Sequence, residues 1–425
     1  MKKVINSAPS RRHFLRLTSM AAASALAPTV LWAEQREAGD AATSVPAHIA
    51  TFEEVWRTVR DRFYDPHLDG LDWSAVRERY MPDATRASSE EALASVINSM
   101  LSELHASHTR YYTPQEPEYY QLSGIFAGAL WRRGLERAFP GGRISYPGIG
   151  VLLRVDMQGR SVITGVIEGT PAQQGGLLAG DEIVLADGAP FQPVQSFRGK
   201  VDKQVMLSLR RAGAFMQISV TPVDIEPNKM FLDGLKASAR VIPANGRSIG
   251  YVHVWCYAGS AYQRALEHLL SQSPLNDADA LIWDLRDGWG GAIPEYLDLF
   301  NTRAPTMQVT GRNGASELEN VKWRKPVAML VNGGTRSGKE ILAYGFKKYR
   351  LGEVIGSRTE GAVLAATAFL IGGGLLLLAV EDVRIDGERL EGVGVAPTIE
   401  VQADPASVGL GDPQLNRAIA VLSGA

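Results

Sequence analysis

The chain has 425 residues, 45% hydrophobic and 21% charged, which excludes a disordered polymer, a collagen and a coiled-coil rod. Its 44 basic and 46 acidic residues leave a net charge of -2 with no long basic block, so neither nucleic acid nor an anionic membrane surface is expected as the main partner. The single cysteine, Cys256, excludes an intrachain disulfide framework and every cysteine-based zinc cluster.

Residues 1–33 hold Lys2, Lys3, Arg11, Arg12 and Arg16, no acidic residue, and then a mainly apolar run from Leu17 to Ala33, the pattern of a signal peptide. Within it, Ser10-Arg11-Arg12-His13-Phe14-Leu15-Arg16 resembles the twin-arginine export motif, which implies delivery to the periplasm. Its removal would leave 39 basic against 46 acidic residues. No other stretch reaches ~18 uninterrupted apolar residues, so the mature form is not expected to span a membrane. Residues 34–47, small, polar and ending near Pro46, read as a disordered leader. Val55, Trp56, Val59 and Phe63, then Leu93, Val96, Ile97, Met100, Leu101 and Leu104, fall at helical spacing and predict a helical N-terminal region over 48–125.

Over 146–225 the pattern changes to short β-rich runs with one short helix. Gly148-Ile149-Gly150-Val151, Gly169-Thr170-Pro171-Ala172 and Gly176-Leu177-Leu178-Ala179-Gly180-Asp181-Glu182-Ile183 closely resemble a PDZ domain. The resemblance implies a module that takes a peptide as an added strand and captures its terminal carboxylate on the backbone N–H groups of the loop 146–151, with Ile149 and Val151 lining an apolar pocket. The plainer alternative is that these glycines only make tight turns and the groove is closed. From about 240 to 402, apolar strands alternate with helical patterns, the signature of a layered α/β core, and 403–425 reads as a C-terminal tail. The fold class expected is therefore mixed α/β: a helical N-terminal region, an inserted β-rich module and an α/β core.

Four constellations can carry chemistry. Asn332-Gly333-Gly334-Thr335-Arg336-Ser337-Gly338 sets a serine between a buried strand and a helix start, where a sharp turn exposes the hydroxyl and the next N–H groups can meet an oxyanion. Taken alone, Ser337 reads first as a helix N-cap and only second as a nucleophile. His105-Ala106-Ser107-His108-Thr109 holds two of the seven histidines, the side chain best suited to act as a general base near neutrality. Trp283-Asp284-Leu285-Arg286-Asp287-Gly288-Trp289-Gly290-Gly291 is a strand ending in a turn able to aim N–H groups at developing charge. Leu390-Glu391-Gly392-Val393-Gly394-Val395-Ala396-Pro397 offers a carboxylate at a turn.

In this order, and with the inserted module, the four resemble the C-terminal processing peptidases, or tail-specific proteases, over roughly 50–402. Ser337 stands three residues before Glu340 as that family's nucleophile does; Thr398 replaces the family's usual aspartate after the proline. Ser-Lys members place a lysine 25 residues after the serine, where this chain has Ala362. Lys339, two positions from the serine, does not share its helix face and is expected to be dispensable. The Ser107-His108 pair instead resembles the tricorn core branch, where a histidine is the base. The resemblance implies Ser337 as nucleophile, His108 as base, Ser107 as accessory hydrogen-bonding residue and Glu391 as orienting carboxylate, with Glu388 in reserve. Gly338 and one of Gly290 or Gly291 would supply the oxyanion hole, and no metal or organic cofactor is implied. The expected function is an exported serine endopeptidase acting on polypeptides with free C-termini. Two alternatives stay open: a non-catalytic periplasmic scaffold that binds peptides through the PDZ-like module, and a ligand carrier of the same fold.

Overall fold

The computed structural model describes residues 33–156, 158–303, 305, 307–319, 322–403 and 411–424. The signal segment read at 1–33 lies outside these residues but for Ala33. Two compact units divide between Ser44 and Val45. Helix α1, Ala33–Arg62, begins in the first. Residues 34–47, expected to be disordered, are thus helical. The run Ala33-Glu34-Gln35-Arg36-Glu37-Ala38 consists of strong helix formers, a local propensity that the leader-like composition concealed.

In the second unit, Phe52, Val55 and Val59 of α1 pack with α2 (Trp73–Arg86) and α3 (Glu90–Ser102) around Ile97, Met100 and Leu101. Both helices start on side-chain caps: the Asp72 carboxylate accepts from the N–H groups of Ser74 and Ala75, and the Ser89 hydroxyl from that of Ala92. Strand β1 (Arg110–Tyr112) follows, then α4 (Pro117–Ile125) and the single-turn helices α5 (Ala127–Leu130) and α6 (Leu135–Ala138).

The β-rich segment enters by β2 (Tyr146–Gly148) and leaves by β9 (Val223–Ile225), which pair antiparallel and form its neck. Between them lie β3 (Val151–Val155), β4 (Ser161–Val166), α7 (Pro171–Gln174), β5 (Glu182–Ala186), the two-residue β6 (Ala189–Pro190), β7 (Val205–Arg211) and β8 (Ala214–Val220). The sheet runs β3-β4-β5-β7-β8, with β6 beside β5, so β3 is an edge. Alternate residues Val205, Leu207 and Leu209 point into a core of the module's own, with Ile163, Ile183 and Phe197. Ile149 and Val151, expected to line an open pocket, belong to that core at 2% and 7% exposure. The cavity beside their loop measures only about 10 Å³, because the loop is drawn onto the α7 turn: Ile149 O accepts from Ala172 N–H at 2.8 Å and Gly150 O from Ile167 N–H at 3.1 Å.

The α/β core continues through α8 (Pro227–Ser238), β10 (Arg240–Ala244), β11 (Arg247–His253), α9 (Ser260–Ser271), β12 (Ala280–Asp284) and the exposed hairpin of β13 (Met307–Thr310) and β14 (Ser316–Glu319). It ends with β15 (Val327–Val331), α10 (Gly338–Lys348), β16 (Glu353–Gly356), β17 (Ala365–Ile371), β18 (Gly374–Glu381), β19 (Ile399–Glu400) and α11 (Pro413–Ser423). The main sheet has the order β10-β11-β12-β15-β16-β19 and is parallel except for the β10–β11 pair. Helices cover both faces, which explains the unbroken apolar runs in β12 and β15. Trp283 and Met329 face Leu342 and Phe346 of α10, whereas Ile282 and Leu330 face Ala418 and Leu422 of α11. The segment read as a tail over 403–425 therefore holds the helix that closes the sheet's second face. Its apolar positions lie within one short stretch after Pro413, too brief for periodicity alone to identify.

A three-stranded sheet, β1-β18-β17, joins the two ends of the unit: Arg110 pairs with Leu377 and Tyr112 with Leu375. None of the described helices is long and apolar enough to cross a membrane.

An ion network fixes α11 to the end of β12. Asp284, fully buried, accepts from Tyr251 Oη at 2.8 Å and from Arg286 Nη2 at 2.5 Å, and Arg286 reaches on to Asp412 at 2.7 Å and Gln414 at 3.1 Å. Burial alone would raise the Asp284 carboxyl, but Arg286 and then His253 outweigh it and hold the group well below the usual carboxylate range. Arg286→Leu, which leaves Asp284 charged and unpaired, should cost about 3–5 kcal/mol in urea denaturation, and adding Asp284→Asn should recover part of it.

Candidate active site

Strand β15 delivers the chain to the serine. Its five buried residues end at Asn332, whose carboxamide organises the turn: Oδ1 accepts from Gly334 N–H at 2.9 Å and Asp287 N–H at 3.1 Å, and Nδ2 donates to Asp287 Oδ2 at 2.9 Å. Thr335, buried, donates its hydroxyl to Leu285 O at 3.1 Å. The two turns that follow β12 and β15 are therefore tied together before Ser337 is reached.

Ser337 has φ 57° and ψ -130°, a conformation that costs an L-residue of order 1–3 kcal/mol and is kept only where the surroundings impose it. Its N–H donates to Ala362 O at 2.8 Å and to Glu340 Oε2 at 3.1 Å. Glu340 is fully buried and also accepts from Thr359 Oγ1 at 2.6 Å, Gly361 N–H at 2.7 Å and Ala362 N–H at 2.8 Å. Burial raises its carboxyl, and these hydrogen bonds pull the other way. The next two N–H groups, of Val363 and Leu364, turn to Glu391 Oε2 at 2.7 and 3.2 Å.

Glu391 meets Ser107, accepting from its N–H at 3.0 Å and from its hydroxyl at 2.9 Å. Ser107 Oγ also lies 3.0 Å from His108 Nδ1. An ionised carboxylate only accepts, so the single hydroxyl proton of Ser107 is committed to Glu391. Nδ1 must then carry the ring proton and donate to Ser107, which leaves Nε2 bare and able to accept a proton. The His108 pKa is pulled down to about 4, first by burial and then by the Arg336 guanidinium, against the opposing pull of Glu391. That is well under the ~6.5 of a free imidazole. Glu388, the reserve carboxylate, is exposed in a tight turn with Ile385 and takes no part in this chain of bonds.

The glycine turn after β12 closes on the serine from the other side. A β-carbon on Gly290 would lie 2.6 Å from Ser337 Cβ and 2.7 Å from Arg336 O, and one on Gly338 would lie 2.3 Å from Ala292 N. Gly291 has φ 94° and rests against Ala258. Gly290, Gly291 and Gly338 are thus brought together with Ser337, and Ser107, His108 and Glu391 form one hydrogen-bonded chain. Gly148, Ile149, Gly150 and Val151 stand apart in the β module. Lys339, 0% exposed, turns away to two backbone carbonyls, Asp287 O at 2.7 Å and Trp255 O at 3.2 Å.

A cavity of about 730 Å³ opens beside these elements. Arg110 and Glu118 contribute from the N-terminal region, Leu152 to Val155 from the edge strand β3, and Trp289 and Arg336 from the two turns. Arg336 pairs with Glu360 at 2.8 Å and lies over the Trp289 ring at 5.4 Å. Among the described residues no group of three or more His, Cys, Asp or Glu side chains is placed to hold a metal ion. Sequence reasoning missed the structural part of Glu340 and the segment 359–364. The Ser-x-x-Glu spacing of Ser337 and Glu340 is a capping-box signal that could have revealed the first; nothing local marks the second.

Residues 248–401 match Peptidase family S41, and residues 50–102 match the Tricorn protease C1 domain. A C-terminal processing peptidase, chloroplastic, of Tetradesmus obliquus is 26% identical over 398 residues, covering 86% of this chain and 80% of the relative. A putative tricorn protease homolog 2 of Streptomyces coelicolor is 26% identical over 380 residues; the match takes in 83% of this chain but only 30% of that protein. The solved photosystem II D1 C-terminal processing protease shares the fold, with a TM-score of 0.51 at 22% identity, covering 88% of this chain and 97% of that one. The chain thus carries a segment that matches Peptidase family S41, preceded by one that matches the Tricorn protease C1 domain, and its relatives are C-terminal processing and tricorn-type proteases.

Proposed function

We propose that this peptidase hydrolyses extended polypeptide segments near free C-termini, with Ser337 as nucleophile and His108 as base. The observation that supports it most is the direction of the hydrogen bonds from Glu391 through Ser107 to His108, which leaves Nε2 unprotonated. Ser337 Oγ attacks the scissile carbonyl carbon and its proton passes to His108 Nε2. The oxyanion is met by the N–H of Gly338 and that of Gly290 or Gly291. The C–N bond then breaks as His108 returns the proton to the leaving amine. Water, deprotonated by the same nitrogen, releases the acyl group. Ser107 and Glu391 hold the tautomer and transfer no proton.

The β module is read as PDZ-like, but its part is to present an edge. Because β3 borders the cavity that Trp289 and Arg336 also line, a substrate can pair with Leu152 to Val155 as an added strand and continue past Arg336 toward the neighbouring Ser337. Action near C-termini is favoured by the names of the relatives, and export by the Arg11-Arg12 segment.

A fluorophosphonate probe should label the wild type and not Ser337→Ala, and labelling that persists in Ser337→Ala would sink the assignment. Because the base must be neutral, kcat/KM should rise with pH through about 4 and reach its full value by pH 5–6, where an unperturbed histidine would already be charged. His108→Ala, Ser337→Ala and the double variant should all fall to one common low rate, as expected of groups acting as a unit. Gly290→Ala, whose methyl meets Ser337 Cβ at 2.6 Å, should lower kcat by roughly 10²-fold or more with the fold retained by circular dichroism. For export, Arg11→Lys with Arg12→Lys should hold the precursor inside the cell, and undiminished periplasmic protein in fractionation would reject the twin-arginine route.

A further inference from the structure

Among the described residues Lys339 is the one fully buried lysine, and the chemistry above leaves it unused. It is the second residue of α10, two positions after Ser337, yet its ammonium runs under the glycine turn. Among the described residues no carboxylate lies within 4.0 Å of it; its partners are the carbonyls of Asp287, at 2.7 Å, and Trp255, at 3.2 Å. Moving an ammonium out of water costs several kcal/mol, so the site is an expensive place for a charge with no ion-pair partner.

The two carbonyls belong to the segments that shape the turn. Trp255 O also accepts from Trp289 N–H at 2.8 Å, which folds 287–289 back over it. The approach is so close that a β-carbon on Gly288, φ 70°, would lie 1.9 Å from Trp255 O. Asp287 is itself left-handed, φ 50°. Three and five residues further on, Gly290 and Ala292 lie against Ser337 and Gly338. A rigid path therefore runs from Lys339 Nζ through Asp287 O and Trp255 O to the N–H groups of Gly290 and Gly291. Both ends of the path are anchored on α10.

We infer that Lys339 is a positioning residue: by holding the carbonyls of Trp255 and Asp287 together, its ammonium sets the Gly288–Gly291 turn against Ser337 and so aims the oxyanion-binding N–H groups. This rests on the Ser337 reading given above. It revises the expectation that Lys339 is dispensable, since a residue with no part in proton transfer can still fix the geometry that transfer needs. Charged donors make hydrogen bonds about twice as strong as neutral ones, so the positioning depends on the protonated form. Burial draws Lys339 down to about 8; the facing Cys256, Asp287 and Asp284 oppose that shift, and Arg336 adds to it. The turn is therefore held firmly below about pH 8 and loosens above it.

The test uses the full chain and a peptide substrate. Lys339→Met should lower kcat roughly 10- to 100-fold with KM within about twofold, and should weaken a peptide boronate, which forms the tetrahedral adduct, by a similar factor. Affinity for the product peptide should not change. In the wild type, kcat should fall as pH rises through about 8, and this limb should persist in Cys256→Ser and be absent from Lys339→Met. Wild-type kcat in a folded Lys339→Met overturns the inference. If that variant does not fold, a wild-type kcat that stays flat from pH 7 to 10 overturns it instead. Residual activity in Ser337→Ala would mark failure of the underlying reading, whereas an inactive Ser337→Ala beside a fully active Lys339→Met would reject the role of Lys339 alone.

Discussion

Four consecutive backbone N–H groups, those of Gly361, Ala362, Val363 and Leu364, are shared between two carboxylates, and the rest of the site depends on that division. The first pair goes to Glu340, at 2.7 and 2.8 Å, and the second to Glu391, at 2.7 and 3.2 Å. Glu340 also takes the N–H of Ser337, and Glu391 takes Ser107, which in turn holds His108. One extended strap thus fixes the distance between the carboxylate that holds the Ser337 turn and the carboxylate that holds the Ser107-His108 loop. A carboxylate that accepts several N–H bonds offsets its desolvation through them, which is why Glu340 can be held fully buried as an acceptor, while Glu391 is only partly buried. Ala362 takes part in the strap through its backbone alone: its N–H goes to Glu340 and its carbonyl receives Ser337 N–H at 2.8 Å.

Three of the left-handed non-glycine residues stand at the same place. Ser337, His108 and Asp287 all have positive φ, and each is over-determined by its neighbours: Ser337 by the strap, His108 by its bond to Ser107 and by β1 pairing with β18 immediately after it, Asp287 by Asn332. Such conformations persist only where surrounding bonds outweigh them. Here those bonds come from several segments far apart in sequence, so loosening any one releases more than one reactive group.

Much of this was legible in the sequence, unevenly. The strand, turn and helix around Ser337 are marked by the apolar run 327–331, the glycine pair and the capping-box spacing, all local signals. The layered α/β class follows from alternating apolar runs in the same way. His108 and Glu391 carry no local mark of function; they emerged only from the resemblance of whole motifs, and the distinction of Glu391 from Glu388 required knowing which way a turn faces. Alternation gave β3 as a strand but could not say that Ile149 and Val151 point into a closed core, since both the pocket and the core demand apolar side chains. Helix α11 was missed because 11 residues after a proline give too few turns to show a period. The buried end of Lys339 was invisible for a different reason: its partners are carbonyls, which every residue possesses.

The contact between Ser107 and Glu391 joins positions 284 residues apart. During synthesis, the loop of Ser107 and the turn of Ser337 are both made before Glu391 is joined. A chain interrupted anywhere before that residue lacks the acceptor for Ser107 and for the N–H groups of Val363 and Leu364, so the two ends of the chain are tied together only when its last part has been added.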